Sequence, residues 1–156
     1  KFADSLELSA AIALLWPNEE PNKYIVFTGG EPGLQLDDEL IDQLHLKNFE
    51  VAVETNGTLP LPPGIDWVCC SPKGVSDIVI EQANELKIAF PQHDLTPDQF
   101  DDFKADYFFL TPRAPVSAVT SFYPGAEDYT KQTIEYCMEN PKWRLNLQTH
   151  KVLNIA

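Results

Sequence analysis

The sequence predicts an α/β fold in which a mostly parallel sheet curls into a partial β/α barrel with helices on its outer face. Three observations predict it. Short apolar runs recur six times along the chain, helix-like stretches or loops separate them, and each run delivers a polar cluster at its C-terminal side. Strands that alternate with helices form parallel units joined by right-handed crossovers.

The elements follow in order. The chain opens into an amphipathic helix over about residues 4–16, with Asp4 or Ser5 as N-cap, Leu6, Ala10, Ala13 and Leu14 at helical spacing, and Trp16-Pro17 as the stop. Strand-like runs are expected at 24–27, 51–53, 67–70, 85–90, 107–110 and 143–147. Further helices are expected at about 37–47, 97–104 and 126–140, and the proline-rich stretch 111–124 reads as a long loop, a candidate lid or insertion. No internal repeat or linker divides the chain, so residues 1–156 are expected to form one domain. A first residue Lys1 that leads straight into a helix predicts that an N-terminal piece is missing.

Composition narrows the function. With 156 residues and 44% apolar content, the chain can bury one core of ordinary size. It has no apolar run of membrane-spanning length and no signal-peptide pattern, so a cytoplasmic location is expected. A formal charge of −13 argues against a nucleic-acid surface, which needs a basic footprint. Cys69 and Cys70 are adjacent on a strand and face opposite ways, and Cys137 lies far off in a helix. No Cys-x-x-Cys spacing occurs, so the cysteines read as small buried hydrophobes rather than zinc or redox ligands.

The most informative segment is Thr28-Gly29-Gly30-Glu31-Pro32, between the first strand and a helix. Two glycines after a strand allow a sharp turn and a close approach of ligand to backbone. Glu31 sets a carboxylate beside exposed amides, a combination suited to a zwitterion. The other strands lead into Glu54-Thr55-Asn56-Gly57, Ser71-Pro72-Lys73, Lys87 with Pro91-Gln92, Thr111-Pro112-Arg113 and Gln148-Thr149-His150-Lys151. In parallel α/β architectures the carboxyl ends of the strands share one rim, where ligands bind. Hydroxyls, amides, two carboxylates and several cations therefore converge on one edge.

The strand-Thr-Gly-Gly-Glu-Pro-helix segment resembles the loop with which radical S-adenosylmethionine enzymes grip the amino group of that cofactor. Together with Glu54-Thr55-Asn56-Gly57-Thr58, Ser71-Pro72-Lys73, Asn84-Glu85-Leu86-Lys87 and the run from Trp143 to Lys151, it resembles, in order, the motifs of the 7-carboxy-7-deazaguanine synthases. The Gln-Thr-His-Lys segment near the C-terminus is the discriminating piece. The resemblance implies a partial barrel of radical S-adenosylmethionine type and a lyase of queuosine and 7-deazapurine biosynthesis. Its reaction converts 6-carboxy-5,6,7,8-tetrahydropterin to 7-carboxy-7-deazaguanine by radical ring contraction with loss of ammonia. It implies S-adenosylmethionine, a [4Fe–4S] cluster and Mg2+ as cofactors, a reducing protein such as flavodoxin as partner, and a homodimer.

Carried over by motif, the resemblance places Thr28, Gln148, His150 and the carboxylate of Ala156 at the substrate. It places Gly30, Glu31, Glu54, Ser71, Pro72, Lys73, Thr111 and Pro112 at the cofactor. The cysteines that bind the cluster in the family, and the magnesium ligand, would precede Lys1, so the chain alone is expected to be inactive. Thr111-Pro112 stands where the family usually has Gln-Pro and is followed by an apparent insertion over about 113–125. Gly33 replaces a commonly aliphatic residue. Two other readings stay open: a different radical S-adenosylmethionine enzyme such as a glycyl-radical activase, or a non-catalytic α/β binding module.

Overall fold

The computed structural model describes residues 2–17, 21–74, 76–113, 129–149, 153 and 155. Among them run, in order, α1 (Ser5–Leu15), β1 (Lys23–Phe27), α2 (Asp38–His45), β2 (Phe49–Thr55), β3 (Trp67–Cys70), β4 (Gln82–Phe90), β5 (Lys104–Pro112), α3 (Tyr129–Glu139) and β6 (Trp143–Leu145). The six strands form one sheet in sequential order, every neighbouring pair parallel. When each right-handed crossover steps the same way, the helices collect on one face and the sheet coils toward a barrel. Here the sheet is unclosed, with β1 and β6 at its edges.

Side-chain alternation divides the sheet into a helix-backed face and an open face. On the helix-backed face, Phe49 and Val51 of β2 pack with Leu40, Ile41 and Leu44 of α2, and α1 adds Leu8, Ile12 and Ala13. A second cluster joins Cys70, Leu86, Ile88, Leu110 and Trp143, covered by Tyr136 and Cys137 of α3. The register row Glu54, Cys69, Glu85, Tyr107 lies on the opposite face. There Trp67 donates Nε1–H to Glu85 (2.8 Å) and stacks on Tyr107.

Three expectations are corrected. The stripe Leu6, Ala10 and Leu14 of α1 faces outward, with Leu14 86% exposed, while Leu8, Ile12 and Ala13 face the sheet. This helix is apolar on both sides, so spacing alone cannot say which side packs. Its N-cap is Asp4, whose Oδ1 accepts from Glu7 N (2.8 Å). The helix expected at 97–104 is a single 3-10 turn, Pro97–Phe100, because β5 already begins at Lys104 and leaves no length for a further turn. β5 also runs through Thr111 and Pro112, paired with Ala89 and Phe90, so these two residues end the strand rather than follow it. Most of the expected long loop 111–124, and the start of the helix expected at 126–140, fall within 114–128 and lie outside the described residues.

Candidate functional site

The parallel sheet brings five strand ends to one cleft of about 590 Å3. Glu54 enters from β2, Ser71 from the turn after β3, Lys87 and Ala89 from β4, and Thr111 from β5. Asn146, Leu147, Gln148 and Thr149, which follow β6, complete the wall. Part of the rim expected from the strand ends is therefore a physical cavity, lined by hydroxyls, amides and one ion pair over small apolar patches, while Thr28–Glu31 after β1, Pro72, Lys73 and Pro112 do not line it.

The β1–β2 part of the rim is wired to itself. Gly29 turns with φ +110°, a backbone conformation that strains any side chain, and a Cβ at Gly29 or Gly30 would meet no atom within 4 Å. Glu31 closes the turn: Oε1 accepts from Thr55 Oγ1 (2.6 Å) and Gly33 N (3.0 Å), and Oε2 accepts from Asn56 N (2.8 Å). Burial pushes the Glu31 carboxyl up, but these three hydrogen bonds and the charge of Lys73 outweigh it and hold the group below its ordinary value. Thr55 is buried and also accepts from Gly57 N (3.0 Å).

Gly57 has φ +80°, and a Cβ there would lie 2.8 Å from Cys70 Sγ. Asn56 Oδ1 accepts from both the backbone N and the hydroxyl of Thr58, a local turn that this residue type favours. Glu-Thr-Asn-Gly-Thr is thus explained largely by holding the Gly-Gly-Glu turn against β2. Sequence reading could not show this wiring, because its partners are 24 and 25 residues apart.

The remainder of the rim keeps its groups available. Ser71 lines the cleft and is anchored through its backbone N to Thr55 O (2.7 Å), Pro72 is buried, and Lys73 is exposed. Asn146 donates to Thr111 Oγ1 (2.8 Å), tying β5 to the segment after β6. Thr28 and Gln148 are exposed; His150 and Ala156 lie outside the described residues. Sequence reasoning set Lys87 on the rim without a role. The structure pairs its Nζ with Glu54 Oε1 at 3.0 Å, directly across β3. The available signal was Glu85 and Lys87 at alternate positions of the otherwise apolar run 85–90, which marks an open face.

The cysteines do not converge. Cys69 faces the open side, Cys70 lies in the core beneath the helices, and Cys137 sits on α3. Burial pushes the Cys69 and Cys70 thiols up to about 12, far from the thiolates a cluster needs. Among the described residues no group of three or more His, Cys, Asp or Glu side chains is arranged to hold a metal ion. No described helix is long and apolar enough to cross a membrane.

A second cleft, about 700 Å3, lies near the N-terminal ends of β4 and β5 and includes Asn84, Lys104, Asp106 and Lys142. Several of its polar groups are already engaged. Asn84 accepts from Val68 N and donates to Asp106, and Lys142 donates to the carbonyls of Phe100 and Asp101. Parallel topology makes the carboxyl rim the candidate ligand site.

No family model matches the chain. Curated relatives do. The 7-carboxy-7-deazaguanine synthase of Bordetella pertussis is 48% identical over 155 residues, 99% of this chain and 70% of its own length. The synthases of Bradyrhizobium diazoefficiens and Burkholderia multivorans are each 43% identical with the same coverage. Among solved structures, QueE from Escherichia coli superposes with a TM-score of 0.70 at 27% identity, over 94% of this chain and 64% of its own. This chain thus spans about 70% of the length of these curated relatives and slightly less than two thirds of the solved structure. Identity at this level over nearly the whole chain, on a matching unclosed parallel sheet, establishes that the chain belongs to the 7-carboxy-7-deazaguanine synthase family.

Proposed function

We propose that this chain carries the ligand-binding rim of a 7-carboxy-7-deazaguanine synthase, a radical S-adenosylmethionine carbon–nitrogen lyase acting on 6-carboxy-5,6,7,8-tetrahydropterin. The observation that carries the reading is the cleft of about 590 Å3 at the carboxyl rim, which gathers motif residues from five strand ends. On this reading residues 1–156 are a single radical S-adenosylmethionine-type domain of a cytoplasmic enzyme, with a reducing protein such as flavodoxin and a second subunit as partners.

The residues present fit S-adenosylmethionine. The open space over Gly29 and Gly30 admits a ligand to the backbone, the charge of Lys73 acts on Glu31 of the same turn, and Ser71 lines the cleft. Glu31 holds this cradle in shape. Among the described residues its Oε1 has two donors and Oε2 one, which leaves a position for the cofactor ammonium. Glu54, Pro72, Thr111 and Pro112 form the rest of the cofactor side. By the family resemblance, Thr28 and Gln148, with His150 and Ala156 outside the described residues, are assigned to the pterin. When bound, S-adenosylmethionine supplies the hydrogen-abstracting chemistry of this class. The protein's part is to orient both ligands and exclude water from the reacting atoms.

The three cysteines do not fit a [4Fe–4S] cluster, since Cys69 faces the open side of the sheet while Cys70 and Cys137 belong to the core on the helix-backed side. Magnesium has no described donor set either. The chain alone is therefore expected to be inactive. The test is anaerobic turnover of 6-carboxy-5,6,7,8-tetrahydropterin with S-adenosylmethionine and a reductant. The chain is assayed by itself and fused to the portion of the Bordetella pertussis relative that it does not span. Product from the fusion alone is expected. A fusion that carries a cluster yet forms no product would favour the non-catalytic module, and product from the chain alone would overturn the expected inactivity.

A further inference from the structure

We propose that Lys87 is a positioning residue of the rim cleft, acting through Glu54 by holding that carboxylate toward the ligand. The proposal rests on the reading of the cleft as the S-adenosylmethionine site. Its geometry is specific. Glu54 stands on β2 and Lys87 on β4, and β3 runs between them with Cys69 and Ser71. The lysine stem reaches over β3 to place Nζ 3.0 Å from Glu54 Oε1. Among the described residues, Lys87 is the only cation lining the cleft.

Three features make the pair a device for orientation rather than stability. Glu54 is the more exposed partner at 45%, against 22% for Lys87, so the anchored end is the cation and the presented end is the carboxylate. One oxygen of Glu54 is engaged, while among the described residues none donates to Oε2. A carboxylate held by one oxygen keeps a strong acceptor for a ligand's N–H or O–H. Third, a partly exposed ion pair adds little to folding, whereas fixing an otherwise mobile carboxylate spares a ligand the entropy of ordering it.

The test is a double-mutant cycle on S-adenosylmethionine affinity, measured calorimetrically with the full 156-residue chain. Lys87→Met and Glu54→Gln should each weaken binding about tenfold, and the double variant should lose about tenfold rather than a hundredfold. Lys87→Arg should stay within about threefold of the parent, because it still reaches Glu54 with a cation. Losses that multiply in the double variant would show Lys87 touching the ligand directly, and unchanged affinity in Lys87→Met would show no role; both overturn the proposal. Lys87→Gln repeats the arm should the Met variant fold poorly.

A ligand-free measurement separates this proposal from the cofactor assignment. Side-chain 13C relaxation of Glu54 should show greater fast motion in Lys87→Met than in the parent. If the parent chain binds no S-adenosylmethionine, the cofactor assignment fails. The relaxation result still decides the positioning claim, and an equally rigid Glu54 in the variant overturns it.

Discussion

The two ends of the rim differ in how they spend their polar groups. At β1–β2, Glu31, Thr55, Asn56, Gly57 and Thr58 satisfy one another, and the exposed parts are Thr28 and the bare backbone of Gly29 and Gly30. From β3 to β6, residues from separate strand ends look into a cleft, and Lys87–Glu54 and Asn146–Thr111 tie some of them together. The first end is a scaffold that shapes backbone, and the second is a surface that offers side chains. The strongest sequence motifs mark the scaffold. The offered groups come from separate strand ends, each unremarkable alone.

The sharpest break of this contrast is a pair of glycine substitutions. Gly57→Ala combines a positive φ with a contact 2.8 Å from the buried Cys70 Sγ, and should destabilise the fold by about 2–4 kcal/mol in urea unfolding. Gly30→Ala meets open space and should change stability by less than about 0.5 kcal/mol. Its cost should fall on S-adenosylmethionine affinity. Equal stability losses at both sites would erase the distinction between scaffold and surface.

Thr55→Val comes next. It removes the hydroxyl that donates to Glu31 and accepts from Gly57 N in a buried position, with an expected loss of about 2–3 kcal/mol.

Acid sharpens the comparison further. Glu31 has a folded-state pKa below its ordinary value. Its charged form therefore contributes stability that is fully present above the unfolded pKa of about 4.3 and is lost as pH falls through the folded value. Glu31→Gln should be less stable than the parent at neutral pH, and the gap should narrow on acidification below about pH 4. A constant gap in thermal melts across that range would mean that the carboxylate charge does not hold the turn.

The smallest effect is expected on the offering side. Thr111→Val removes the hydrogen bond from Asn146, and should cost about 0.5–1.5 kcal/mol.

Strand interiors were legible because apolar runs report burial directly. Their ends were not. β5 was expected over 107–110 but spans Lys104–Pro112, since Lys104 and Asp106 are exposed and carry no apolar signal. α1 was legible as a helix but not in its orientation, because Leu6 and Leu14 are as apolar as the buried-side Leu8 and Ile12. At the site, the convergence of strand ends followed from parallel topology alone. The occupancy of Glu31 did not, because hydrogen bonds between residues two dozen apart leave no periodic trace. The same holds for Lys87, whose partner lies 33 residues away across an intervening strand.

The central claim is that the carboxyl rim, rather than the larger cleft at the other end of the strands, receives the ligand. Backbone amide NMR of the chain titrated with S-adenosylmethionine tests it most directly. The account predicts shifts at Thr28, Gly29, Gly30, Ser71, Ala89, Thr111 and Gln148, with Asn84, Lys104 and Asp106 unmoved. Shifts concentrated at Asn84, Lys104 and Asp106, or none at the rim under saturating ligand, would contradict it.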